Sequence, residues 1–79
     1  MGFFTSKKVF STSKEIRQVL FKIKSLDYKE RPAVFEALVK ELDGGGVTKE
    51  EIRLVVRELR LKKEISEIDR KNLLELIKD

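Results

Sequence analysis

Four times along this chain a side chain able to cap a helix stands three residues before an acid. The pairs are Thr12 and Glu15, Asp27 and Glu30, Thr48 and Glu51, and Ser66 and Asp69. A helix leaves its first four N–H groups without internal partners, and residues at this spacing satisfy them reciprocally. An apolar stripe at helical spacing follows each pair: Ile16, Val19, Leu20 and Ile23; Phe35, Leu38, Val39 and Leu42; Ile52, Val55, Val56 and Leu59; Leu73, Leu76 and Ile77. The expected fold is all-α, a compact orthogonal array of three to four short helices over about 13–24, 28–42, 49–62 and 67–78. Pro32 falls inside the first turn or so of the second helix, where its missing N–H is tolerated. Asp43-Gly44-Gly45-Gly46 ends that helix, and Val47 with Ile52 staples the start of the third. No window alternates apolar and polar residues long enough to predict a sheet. The joints at Val47 and Ile65 share one pattern, an apolar residue, a hydroxyl and then an acid. This reads as a repeated way of starting helices rather than as a duplicated domain.

Residues 1–11 lack helical period and read as an extended arm; residues 12–79 read as a single helical domain. A chain this short buries only about 60–65% of its unfolded surface, so the core is thin. There is no cysteine and no histidine. That removes the thiolate, the commonest general base and the commonest metal ligand together. The remaining carboxylates and lysines are scattered over helix faces, and adjacent Glu50 and Glu51 diverge by about 100°. No catalytic residue, metal, cofactor or small-molecule substrate is expected, and the chain does not read as an enzyme. The loop around Asp43 faintly resembles an EF-hand, but that register puts Lys40, Leu42 and Gly44 at oxygen-ligand positions and rules calcium out. Thr48 and Lys49 stand in the wrong order for a phosphate-binding Walker loop. Met1-Gly2 with Ser6 fits the bare myristoylation pattern, yet the bulky Phe3 disfavours it. No apolar run approaches the roughly 20 residues of a membrane span, so the default expectation is a cytoplasmic protein away from membranes.

The positive excess lies at the amino-terminal end: residues 1–26 hold six basic side chains against one Glu, and residues 47–79 nine against eight. The third helix concentrates its cations. At about 100° per residue, Lys49, Arg53, Arg57 and Arg60 fall within an arc of about 80° beside the core stripe. Four cations on one ridge suit phosphate contact, with Lys7 and Lys8 of the arm as helpers. Glu50, Glu58 and Glu64 lie nearby, and charge-rich helices also carry such ridges for solubility alone.

The stretch GVTKEEIRLVVRELRLKKEI, Gly46 to Ile65, resembles the recognition-helix region of winged helix-turn-helix regulators, with Ala37-Leu38-Val39-Lys40-Glu41-Leu42 as the supporting helix. The resemblance spans residues 37–65. It implies nucleic-acid binding, DNA or RNA, through the third helix. It departs from the family at Asp43–Gly46, a longer turn, and after Ile65, where a capped helix replaces the wing.

Leu54 and Leu61 support a rival reading. Seven residues apart, they share a line nearly opposite the core stripe. Cover by the last helix is the expectation carried forward, since Ile65 and Ile68 also need company. Left in water, the pair would mark a seam for a protein partner or a second copy, with Phe3 and Phe4 as a further apolar contact. The rival function is thus a protein-interaction or homo-oligomeric adaptor domain.

Overall fold

In the computed structural model, residues 8–78 are described, with the backbone alone at 43 and 44. The order of elements is β1 (Lys8–Phe10), α1 (Ser13–Lys22), α2 (Glu30–Lys40), a 3-10 turn (Glu41–Gly44), β2 (Val47–Thr48), α3 (Lys49–Leu61) and α4 (Glu67–Glu75). The fold is largely all-α, with four α-helices among the described residues.

The capping signatures form as hydrogen bonds. The Glu15 amide donates to Thr12 Oγ1 at 3.2 Å, the Glu51 amide to Thr48 Oγ1 at 3.3 Å, and the Asp69 amide to Ser66 Oγ at 3.1 Å. Each acid returns a bond from its cap's own amide. Asp27 caps the turn leading into α2 by accepting from the Glu30 amide at 2.7 Å. Pro32 has no N–H to give to the Tyr28 carbonyl, so the unbroken helical ladder starts at Glu30 instead of at 28. α1 stops at Lys22, two residues short of expectation, because Ile23 is extended. α4 closes in a tightened turn, where Leu76, Ile77 and Lys78 donate three residues back.

Two strands too short for any alternating pattern make a small antiparallel sheet, which the sequence reading missed. Lys8 pairs with Thr48 and Phe10 with Val47, with a bulge between. Phe10 is thereby driven into the core beside Val47, each nearly inaccessible to water. β1 crosses directly over the glycine turn. A Cβ on Gly46 would lie 2.7 Å from Lys8 Cδ and 3.1 Å from the Phe10 carbonyl oxygen. Its φ of +150° and the +93° of Gly45 are also conformations that glycine adopts freely.

The core is one continuous cluster. Ile16, Leu20, Leu38, Ile52, Val56 and Leu73 are each at most 2% exposed. On α2 the fully buried positions are Val34 and Leu38, while Phe35, Val39 and Leu42 are only partly covered. The α2 stripe is therefore rotated by one position from the expected one. Leu54 and Leu61, expected under the last helix, stay 58% and 73% exposed, and Ile68 is 64% exposed. α4 joins the same core that α3 faces and does not cover this line, of which only Leu61 borders the space between the two helices.

The sequence similarity extends past the helix starts. Thr12, Glu15, Ile16, Arg17 and Val19 recur thirty-six positions on as Thr48, Glu51, Ile52, Arg53 and Val55. After a turn longer by three residues, Leu26, Glu30, Arg31, Val34, Glu36 and Leu38 recur as Ile65, Asp69, Arg70, Leu73, Glu75 and Ile77. The structure obeys this alignment. Most matching apolar positions are buried alike, although Val19 is half-buried where Val55 is buried, and the strands that precede α1 and α3, β1 and β2, pair with each other antiparallel. The chain is two β-α-α units sharing one core, alike in pattern but not in every contact, since α2 packs on α3 without an equally extensive contact between α1 and α4.

Candidate nucleic-acid interface

Helix α3 presents its basic ridge along one wall of a groove, and α4 forms the other wall. The groove encloses about 650 Å³. Val56 and Ile77, both buried, and half-buried Leu74 form an apolar floor, and exposed Leu61 lies at its edge. Arg53, Arg57 and Arg60 come from α3; Arg70, Lys71 and Lys78 come from α4 and its closing turn. Among the described residues, Glu75 is the lone carboxylate in the lining.

The charges are arranged unequally. Glu67 accepts from Arg60 Nε at 3.4 Å and from Arg70 Nε at 2.9 Å, and also from Arg70 Nη2, tying the two walls together. The Arg70 hydrogen bond, with help from Arg60, holds the Glu67 carboxyl below its ordinary pKa, and the same contact raises that of Arg70. Arg53 lies 3.9 Å from Glu50, and Lys78 lies 3.9 Å from Glu75. Arg57 and Lys71 have no ion-pair partner among the described residues. Each is exposed, so both are available to an incoming anion.

The sequence-derived sites sort as follows. Arg53, Arg57 and Arg60 do stand together on one wall. Lys49 is half-buried at the first turn of α3 and lies outside the groove lining. Lys8, paired opposite Thr48, sits at that same end of α3 and does not line the groove. Lys7, Phe3 and Phe4 fall outside the described residues, as does the myristoylation pattern. Leu54 and Leu61 share the outward face of α3, and Leu61 reaches the groove rim. Missed altogether were Arg70, Lys71 and Lys78. The internal repeat would have found the first, since it aligns Arg70 with Arg31 just as it aligns Arg53 with Arg17.

Among the described residues no group of carboxylates is placed to hold a metal ion, and no helix is long and apolar enough to cross a membrane. After Ile65 the chain enters α4, so α4 stands where a wing would follow the helix-turn-helix region. Comparison with protein families, curated proteins and solved structures finds no match to this chain.

Proposed function

We propose that this chain is a small nucleic-acid-binding module that grips the phosphate backbone with the α3–α4 groove. One observation carries the reading: among the described residues, six cations from two helices converge on a groove whose lining holds a single acid, Glu75, and two of them, Arg57 and Lys71, have no ion-pair partner there. A polyanion releases condensed counterions when such residues replace them, and that release drives binding. The apolar floor has a natural use here, because arginine and lysine stems lie along apolar surface while their charged ends reach outward. The resemblance of residues 37–65 to a helix-turn-helix region points to the same helix.

Fluorescence anisotropy with labelled mixed-sequence DNA and RNA at two ionic strengths tests this. Affinity is expected to fall steeply with salt, and the Arg53→Glu, Arg57→Glu double variant is expected to bind at least about tenfold more weakly. Its salt slope should drop by about two phosphate equivalents. Undiminished binding by that variant overturns the assignment.

The exposure of Leu54 and Leu61 favours a second reading, self-association through the outer face of α3. Sedimentation equilibrium then gives a mass above the monomer that returns to monomer when both become Ser. A monomeric parent excludes it.

A further inference from the structure

The internal repeat gives the α3–α4 groove a counterpart between α1 and α2. Its lining is Arg17, Leu20, Phe21, Tyr28, Arg31, Pro32 and Phe35. In repeat alignment these stand where Arg53, Val56, Arg57, Glu67, Arg70, Lys71 and Leu74 stand in the other half. Two arginines and one aliphatic floor residue are kept in kind. The others change from charged or aliphatic groups to rings. We infer that this second groove is a base-stacking site, and that the nucleic acid held by the chain is single-stranded; the inference rests on the nucleic-acid reading above.

Three observations carry it. The first is exposure: Phe21 is 75% and Tyr28 81% exposed, next to exposed Pro32. A folded domain gains nothing by leaving two large neighbouring rings in water, and such patches mark binding surfaces. The second is fixity. The Arg31 guanidinium donates to the carbonyls of Leu20, Ile23 and Leu26 at 3.1, 3.0 and 2.8 Å, so it cannot wander. It lies 5.9 Å from the Phe21 ring centre, while Arg17 lies 5.6 Å from that of Phe35. Phe21 and Phe35 are thus each backed by a cation, and the one behind Phe21 is already held in place when a base arrives.

The third is charge. Among the described residues, neither this groove nor the adjoining hollow bordered by Arg17, Gln18, Phe21 and Lys22 has an acid in its lining. The nearby carboxylates of Asp27 and Glu30 are turned onto backbone amides of the α2 start. Rings interleaved with cations are what unpaired bases and their phosphates need, and a duplex keeps its base faces stacked inside. The aromatic groove, about 280 Å³, is less than half the size of its counterpart and offers a ring-sized seat rather than a trough for a helix.

The chain carries its own reporter, because Tyr28 is its single tyrosine and there is no tryptophan. The protein is titrated with a mixed-sequence oligonucleotide, single-stranded and then annealed to its complement, at low salt. Both anisotropy and tyrosine emission are read. The expected result is at least tenfold tighter binding of the single strand, with Tyr28 emission quenched on saturation. The Phe21→Ala, Tyr28→Ala variant should lose at least tenfold in single-strand affinity while holding its helical circular dichroism. A bound strand that leaves Tyr28 emission unchanged, or a folded double variant that binds like the parent, overturns the stacking site. If Arg53→Glu, Arg57→Glu still abolishes binding in that case, the phosphate-binding groove stands without it. Absence of binding to either form of oligonucleotide removes both. Quenching by an acidic proline-rich peptide, with none by oligonucleotides, assigns the aromatic groove to a protein partner and also overturns the inference.

Discussion

The two halves of this molecule share a core and differ at their grooves. Ile16 and Ile52, Leu20 and Val56, Val34 and Leu73, and Leu38 and Ile77 occupy matching positions, and all are buried. Phe21 against Arg57, Tyr28 against Glu67 and Pro32 against Lys71 occupy matching positions at the groove edges, and all differ in chemistry. Packing tolerates only apolar side chains of similar volume at the first set, whereas water or a ligand accepts nearly anything at the second. Binding character can therefore change at the grooves while the interior stays constant.

The halves also end their first helices by different devices, and that contrast yields the largest expected stability effect. α3 stops with Lys63 in the left-handed conformation, φ 61°, its amide donating to Arg60 and that of Glu64 to Leu59. This backbone motif satisfies the terminal carbonyls within the chain itself. α1 lacks those extra residues, and the guanidinium of Arg31 instead meets the carbonyls of Leu20 in its last turn, Ile23 at its cap and Leu26 in the turn that follows. Hydrogen bonds from a charged donor to half-buried acceptors are worth more than exposed ion pairs. Arg31→Met, which keeps the stem, should therefore cost about 2–3 kcal/mol in urea unfolding. The equivalent Arg70→Met removes only the exposed contacts to Glu67 and should leave the midpoint nearly unmoved. Equal losses from the two substitutions would break the distinction between the halves.

Much of the helical frame was legible in the sequence because capping and stripe periodicity are local. Thr12 with Glu15, and Ile52 with Val55, Val56 and Leu59, depend on neighbours within a few residues and were placed correctly. What was missed depends on contacts between distant segments. The β1–β2 pair is too short to show alternation, and Val34 is buried because α1 and α3 close over that side of α2. The fate of Leu54 and Leu61 turned on where α4 packs, which periodicity does not encode. The site was half legible: the α3 ridge follows from helical angles, but its partner wall of Arg70, Lys71 and Lys78 appears only once α4 is docked.

The smallest expected effect tests the place where the halves meet. Glu30 and Asp69 are equivalent acids, each the third residue of a capping pair, and their side chains lie within hydrogen-bonding reach of each other. Asp69 is fully buried, and its Oδ2 accepts the Ser66 amide at 3.1 Å. Two adjacent carboxylates do not both ionise freely, so one keeps the proton longer. For Glu30, the Asp27 amide favours the charged form, but desolvation and the hydrogen bond and charge of Asp69 outweigh it, and the pKa rises. For Asp69, burial favours the neutral form, but Ser25, Ser66 and Glu30 outweigh it, and the pKa falls. Linkage then gives opposite signs. The Glu30 contribution is present in acid and is lost as pH climbs from about 4.5 through its raised value; that of Asp69 is lost as pH drops from about 3.8 through its lowered value. The pair is thus most favourable in mild acid, with Glu30 protonated and donating to Asp69. Glu30→Gln supplies a permanent amide donor at that position and keeps an oxygen for the Asp27 amide. The variant's urea midpoint should equal or slightly exceed the parent's at neutral pH, and should change less than the parent's between mild acid and neutrality. Parallel pH profiles for the two proteins would show that the equivalent acids do not share a proton.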